Sequence, residues 1–541
     1  MRVAEALGRA VAQLGVRNCF GLVGSGNFHL VNAMVASGVR FIPARHETGA
    51  ITMADAYGRA SGRLAACTVH QGPGVTNAIT GLTEAAKSRT PLLLLAAEAT
   101  APLSNFFIDV EALAKATGAA HRRIGSAAGA VEELAGAARL AVGERRTVLV
   151  SLPLEVQAAE CDPPDVAPPH PPAPDAPQEV EALARMLESA ERPLILAGRG
   201  AVLSGAREPL ERLADKTGAL LATSAVASGL FAGNPWSLGI SGGFASPLAA
   251  ELIEASDLVV AFGASLNMWT TRRGRLIGKA TKVVQVDVDR AALGAHRHVD
   301  LAVQGDCAAT ARAAAEALAD HHATGCRSAE TEERIRRGGW RDQPFEDLSG
   351  DGRIDPRTLS IALHGLVPAE RTLAVDSGHF MGWPPMYMDV PDGGAFVFTQ
   401  SFMSIGLGLA TGIGAAVARP ERVTVIALGD GGALMSLPEF ETLGRLGLDA
   451  LVVVYNDAAY AAEVHHFAPE GAPMDTVRFP DTDFAALARS VGLEAATVRS
   501  LDDLEAVRDW LGRGRPKPLM LDAKIVPTVV AEWLEEAFRG Y

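Results

Sequence analysis

Short apolar runs recur along the chain. Each is bounded by Gly, Asp or Pro and alternates with longer stretches whose apolar positions follow a helical period. The first third contains Leu92–Ala97 and Thr147–Leu152. The middle contains Pro193–Ala197, Leu258–Phe262 and Lys282–Val288. The last third contains Val423–Leu428 and Leu451–Tyr455. Runs of this kind suit strands covered on both faces, and strands alternating with helices predict parallel sheets enclosed by helix layers. The expected fold class is α/β, with three doubly wound parallel-sheet domains. The first 15 residues, MRVAEALGRAVAQLG, read as an amphipathic helix.

Two stretches read as connections. CDPPDVAPPHPPAPDAPQ, residues 161–178, is rich in proline, which excludes helix interiors and stiffens an extended tether. A polar, charged and Gly-containing stretch follows near 326–355. The expected domains are therefore 1–160, 179–325 and 356–541.

Composition narrows the function classes. At 541 residues the chain suits about three domains of roughly 100–200 residues each. Lys plus Arg is 49 and Asp plus Glu is 63, a net charge of −14, which argues against nucleic-acid partners. Cys19, Cys67, Cys161, Cys307 and Cys326 are scattered and form no CxxC pair, so reduced thiols and a cytoplasmic location are expected. No signal peptide, no membrane span and no membrane partner are expected.

The sharpest local signal is Gly429-Asp430-Gly431-Gly432 at the end of an apolar strand. Glycines there let the backbone approach a diphosphate, and Asp430 can offer a hard oxygen to Mg²⁺. A bare GDG is also a common turn. A second strand ends at Tyr455 and leads into Asn456-Asp457-Ala458-Ala459-Tyr460, with Asp457 27 positions after Asp430. Two oxygen ligands at neighbouring strand ends, plus the Ala459 carbonyl, would make a magnesium site.

With these residues in view, the chain resembles the thiamine-diphosphate enzyme superfamily. The family carries a GDG motif and then an Asn, often in an NN pair. Here Asp457 falls on the usual Asn position; a register shift of one would make Asn456 the ligand. The resemblance implies that Ser377, Gly378 and His379 contact the diphosphate from a neighbouring strand end, with Gly429, Asp430, Gly431, Gly432, Asp457, Ala459 and Tyr460. Phe402-Met403-Ser404-Ile405-Gly406-Leu407 is similar to the family's TMGFGLPAA stretch. Ser401 and Met403 would then bind the cofactor, Met403 as the apolar wedge that bends it; by itself Met403 reads as a core methionine.

Arg45-His46-Glu47-Thr48-Gly49-Ala50 and the helix-like Ile51–Ser61 resemble the segment that carries the family's activating acid. That role falls on Glu47. A carboxyl at pyrimidine N1′ favours the imino tautomer, whose nitrogen removes the thiazolium C2 proton. Cys67–Asn77, which includes His70, Gln71, Pro73 and Asn77, resembles the TSGPGATN loop of acetohydroxyacid synthases. His70 and Gln71 replace small hydroxyl residues there. A His at this place is similar to benzoylformate decarboxylase, although a lone His is more often structural. Ser25, Asn27 and His29 lie in a loop that would line the same site.

After the metal loop, Glu463 falls where pyruvate decarboxylases place a catalytic Glu, and His466 where acetohydroxyacid synthases place a Trp. Glu463, His70 and His465 or His466 are the candidates for moving protons; a helix start with a polar face explains the same residues without catalysis. The stretch Gly263–Trp269 differs from the FAD-associated GARFDDR, so FAD is not expected, and no GxGxxG marks an NAD site.

The resemblance implies a pyrimidine-binding, a central and a diphosphate-binding domain. It also implies thiamine diphosphate and Mg²⁺ as cofactors, a small-molecule 2-oxoacid donor with an aldehyde or ketone acceptor where a bond is joined, and a homodimer or dimer of dimers. The expected function is an acetolactate-synthase-like 2-oxoacid decarboxylase or carboligase, passing through an enamine. A 2-hydroxyacyl-CoA lyase or another thiamine-dependent C–C lyase or transferase is the alternative, with little room after Val526-Pro527 for a CoA-binding lid. A non-catalytic regulatory subunit is disfavoured because Glu47 and the acidic ligands are retained.

Overall fold

The computed structural model describes residues 1–171, 176–318 and 321–534. It contains three six-stranded sheets, parallel throughout. The first holds β1 (Asn18–Gly21), β2 (Arg40–Pro43), β3 (Ala65–Val69), β4 (Leu92–Glu98), β5 (Ala120–Arg123) and β6 (Thr147–Pro153), in the order β2-β1-β3-β4-β6-β5. The second holds β7 (Pro193–Ala197), β8 (Leu220–Thr223), β9 (Ser237–Ile240), β10 (Leu258–Phe262), β11 (Lys282–Asp287) and β12 (Leu301–Gln304), in the order β12-β11-β10-β7-β8-β9. The third holds β13 (Arg371–Val375), β14 (Phe396–Phe398), β15 (Val423–Gly429), β16 (Ala450–Asn456), β17 (Glu494–Val498) and β18 (Leu519–Lys524), in the order β14-β13-β15-β16-β18-β17.

Every apolar run read from the sequence is a strand, within a residue or so of its expected ends. The inner strands are buried along their length because helices cover both faces. In each sheet the chain starts on an inner strand and runs outward in both directions, which leaves a crevice at the carboxyl ends of the strands where the order reverses.

The first and third sheets share one apolar core. Ala50, Met53, Ala54 and Tyr57 of the helix Glu47–Ser61 pack with Leu409 and Ile413 of the helix Gly408–Ala418 and with Ile426 of β15. The approach requires glycine: a Cβ on Gly414 would lie 2.2 Å from the Met53 carbonyl oxygen.

Two local readings change, at the start of the helix after β2 and over 326–355, and the connection between β15 and β16 takes shape. The helix after β2 begins at Glu47 rather than near Ile51, because His46 caps it by accepting the Thr48 amide at 3.2 Å. Two helices, Asp430–Met435 and Pro438–Leu446, separate β15 from β16. The stretch 326–355 is not a bare tether. It carries the helix Ala329–Arg336, capped by Ser328, and Trp340, whose Nε1 donates to the Phe244 carbonyl at 2.8 Å. That helix buries no residue, so no apolar period betrays it in the sequence. Four residues of the proline-rich connection, 172–175, lie outside the described residues, as does the chain end at Arg539-Gly540-Tyr541.

Candidate active site

β15 and β16 are neighbours, with Gly429 opposite Tyr455, so their following residues emerge side by side. Asp430 is nearly buried, and burial raises its carboxyl to about 6. Asp457 is pushed up to about 8, first by burial and then by the charge of Asp430. Two buried carboxylates, one of them raised further by the other's charge, are hard oxygen donors short of positive charge. Lys524 lowers Asp430 and Arg353 lowers Asp457, but the Lys524 ammonium is already held by Asp481, Asp522 at 2.9 Å and the Thr482 carbonyl at 2.9 Å.

Asn456 is engaged elsewhere. Its amide donates to Asp522 at 3.0 Å and to Asp481 and the Thr482 carbonyl at 3.3 Å, and its oxygen accepts the Ala458 amide at 3.2 Å. Ala459 and Tyr460 are set by pairing with the segment at Val477–Phe479. The Tyr460 ring lies over Gly431, where a Cβ would stand 2.7 Å from it. Gly432 has Asp376 on the other side, 2.2 Å from the same construction. Gly429 abuts Phe380. Side chains are thus excluded from Gly431 and Gly432 and crowded at Gly429, and the backbone amides remain the surface offered to a phosphate.

At the end of β13, Asp376 accepts the amides of Ser377 at 2.8 Å and Gly406 at 3.1 Å. Gly378, at φ +142°, turns the chain so that His379 is buried. His379 Nε2 accepts the Ala531 amide at 2.9 Å. Its ring lies 4.4 Å, centre to centre, from that of His465 on the helix Ala461–Phe467. Burial and the neighbouring His465 push His379 down to about 3. Glu463 and His466 share that helix and are half-buried, with the His466 ring against Phe467.

The first domain assembles a second group. Glu47, half-buried at the helix start, accepts the Asn77 side-chain amide at 3.1 Å. The short helix Pro73–Asn77 is launched by Gly72 at φ +64° and a proline at its first position. A Cβ on Gly74 would lie 3.5 Å from both Glu47 Oε1 and the His70 Cβ, so these three positions are contiguous. His70 Nδ1 accepts the Gly26 amide at 3.3 Å and its ring meets Phe106 edge-on at 5.4 Å. Burial lowers the His70 pKa, and the charge of Glu47 opposes this. Gln71 is buried with its Oε1 unpartnered among the described residues. Asn27 holds its own loop together through Gly24, Leu22 and Thr68, whereas Ser25 and His29 are exposed.

Ser401 and Met403 occupy the junction of the two domains. The Ser401 hydroxyl meets that of Ser88 at 2.8 Å, and Met403 stands exposed at φ +59°. Three structural acids were not singled out from the sequence: Glu84, Asp376 and Glu439. Each sits beside apolar neighbours in an element that buries it, which is the signal that could have marked them. Glu439 accepts the amides of Arg45 at 3.1 Å and His46 at 2.9 Å, bracing the turn before Glu47. Nearby, a cavity of about 220 Å³ lies between His46, Thr48 and Gly49 on one side and Ile405, Leu407 and Met435 on the other. A second cavity, of about 140 Å³, opens between Arg89 and Arg145 of the first domain and Arg199 and Asp287 of the second.

Comparison with known proteins accords with this geometry. Three family models match in order: the N-terminal TPP binding domain of thiamine pyrophosphate enzymes over residues 1–122, the central domain over 180–314, and the C-terminal TPP binding domain over 376–523. The chain is 27% identical to the acetolactate synthase large subunit of Parasynechococcus marenigrum, over 96% of this chain and 87% of the relative. It is 28% identical to a sulfoacetaldehyde acetyltransferase of Rhodobacter capsulatus, over 100% and 96%. It is 26% identical to the acetolactate synthase isozyme 2 large subunit of Escherichia coli, over 94% and 93%. With three matched domains around two facing strand-end acids and a cradle of bare glycines, the chain belongs to the thiamine pyrophosphate enzymes and is a thiamine-diphosphate-dependent enzyme.

Proposed function

We propose that this enzyme is a 2-oxoacid decarboxylase or carboligase that uses thiamine diphosphate with Mg²⁺. The observation that carries the reading is the pair Asp430 and Asp457, emerging from adjacent strands beside Gly431 and Gly432, with each carboxyl raised above its ordinary range. Such a pair, with the Ala459 carbonyl as a further ligand, would hold a divalent cation beside a diphosphate. Ser377, Gly378 and His379 flank the diphosphate on the β13 side, and Met403 supplies the apolar wedge.

When bound, thiamine diphosphate supplies a carbon nucleophile and a sink for the electron pair left as a bond beside a ketone breaks. The chain's own residues do the rest. Glu47 would hold a proton at pyrimidine N1′ of the bound cofactor. His70, Gln71 and Pro73 face the substrate from the first domain. Glu463, His465 and His466 hold or move protons on the opposite wall. The relatives' names, acetolactate synthase and sulfoacetaldehyde acetyltransferase, support transfer of a two-carbon unit.

The two residue groups complete each other in a homodimer or dimer of dimers. Val23, Phe28, Phe106 and Phe107 are exposed around the first group, and Phe402, Ile405 and Met435 around the second. Apolar surface of this extent beside a site supports cover by a partner subunit. The free thiols suit a reducing, cytoplasmic setting.

The test is a panel of 2-oxoacids supplied with thiamine diphosphate and Mg²⁺, with CO₂ release followed with and without aldehyde acceptors. Cofactor-dependent CO₂ from at least one donor is expected. Release from none would transfer the reading to the lyase alternative.

A further inference from the structure

The segment Ser401–Gly406 forms an arch between two buried carboxylates, one from each of the domains that meet there. At its start Glu84 Oε1 accepts the Ser401 amide at 3.1 Å, and Glu84 Oε2 accepts the Phe402 amide at 2.6 Å. At its end both oxygens of Asp376 accept the Gly406 amide at 3.1 Å. Glu84 and Asp376 are fully enclosed, whereas Phe402, Met403 and Ile405 between them are each at least 40% exposed. Met403 stands at the apex in the left-handed backbone region, which a methionine rarely adopts. Such a conformation persists only where its flanks are fixed.

Glu84 is itself rigidly held. It receives Arg59 at 2.7 Å and the Ser88 hydroxyl at 3.1 Å. Arg59 also binds Asp55 and donates to the Phe398 carbonyl, the last residue of β14, at 3.0 Å. Nearby charges and amides keep Glu84 ionised: its pKa is lowered although burial opposes this. A charged acceptor binds two successive amides more strongly than a neutral one. The first domain therefore grips the chain at 398, 401 and 402, immediately before the exposed methionine.

We infer that Glu84 is a positioning residue, which sets Met403 against the cofactor by anchoring the first-domain end of the arch. This rests on the reading of Met403 as the wedge. The clamp links two elements of one chain, so the packing of the first domain on the third controls cofactor geometry even though Glu84 touches neither cofactor nor substrate.

The experiment is a double-mutant cycle between Glu84 and Met403, using thiamine diphosphate and Mg²⁺ as the only ligands. Glu84→Gln removes the charge. Glu84→Asp keeps the charge for Arg59 but withdraws the carboxylate from the two amides, and serves if Glu84→Gln fails to fold. Three readouts are taken: deuterium exchange at C2 of the bound cofactor, the near-ultraviolet circular dichroism of its aminopyrimidine, and its affinity by tryptophan fluorescence.

With Met403 present, either Glu84 variant is expected to slow C2 exchange by at least about 10-fold, as misplacement of a reacting group does, and to alter the dichroism band. In the Met403→Ala background the same change is expected to matter by less than about twofold. An equal loss in both backgrounds, or no loss with Met403 present, would overturn the inference and leave Glu84 a domain clasp. If the unaltered protein neither binds thiamine diphosphate nor exchanges C2–H faster than free cofactor, the functional reading itself fails, and that result is distinct.

Discussion

Glu439 accepts the backbone amide of His46 at 2.9 Å across 393 positions of sequence, and the same oxygen accepts Arg45 at 3.1 Å. The next residue is Glu47. A side chain from the helix Pro438–Leu446 thus braces the turn that leads into Glu47, the activating acid we propose. Removing this buried acceptor leaves two amides unpaired. Glu439→Ala is expected to cost about 2 kcal/mol or more in urea denaturation and to slow cofactor activation. Glu439→Gln retains one oxygen and should lose less than half as much. Equal stability of the alanine variant and the unaltered enzyme would show that the brace is unimportant.

By its spacing from Asp430, Asp457 falls on the position where the family resemblance implies an Asn. As a ligand of the proposed Mg²⁺ site it would add charge there, so Asp457→Asn is expected to weaken Mg²⁺ on the order of 10-fold while leaving the maximal rate nearly intact. Asp430→Asn, at the anchoring position, should lose more. Magnesium titrations of activity separate the two, and an Asp457→Asn enzyme with unchanged Mg²⁺ dependence would remove Asp457 from the ligand set.

Glu47→Gln should bind the cofactor with nearly normal affinity yet lower turnover by roughly 10² to 10⁴, the usual weight of a proton-transfer group. Fluorescence titration and steady-state rates, measured on one preparation, check both halves of this expectation.

Glu463→Gln keeps shape and removes a titrating group. If Glu463 moves protons at the reacting carbon, turnover should fall by on the order of 10² with substrate KM little changed. Wild-type turnover in this variant would reduce Glu463 to a polar residue at a helix start.

His379 yields a pH dependence of stability. Its folded pKa is depressed to about 3 from an ordinary 6.5, so the native protein holds it neutral while the unfolded chain takes up a proton below 6.5. The unfolded state binds more protons there, and stability falls as pH drops from about 6.5 toward 3. The contribution lost is about 1.4 kcal/mol for each pH unit below 6.5. Calorimetric melting of the His379→Phe variant should therefore be less acid-sensitive between pH 7 and 5 than that of the unaltered protein. Parallel melting curves for the two would refute the assignment.

Much of the architecture was legible in the chain. The runs Pro193–Ala197 and Leu258–Phe262 are strands with those very ends, because a strand buried on both faces must be apolar throughout. The helix Ala329–Arg336 escaped notice because it buries nothing and so has no apolar period. The GDG segment was legible through its glycines and its place after an apolar strand. The acids that hold the site together, Glu84, Asp376 and Glu439, were not read as such, because their partners are backbone amides, which every residue type carries.

By itself the sequence determined the alternation of strand and helix, the three domains and the residue types of the site, since local period and backbone constraint are properties of neighbouring residues. Tertiary structure alone decided which carboxylates face each other, that Asn456 is consumed by Asp522 and Asp481 while Asp457 faces Asp430, and that Glu84 grips the chain before Met403. Those relations join positions tens to hundreds of residues apart. They exist only once burial removes water and leaves each polar group to find its partner within the protein.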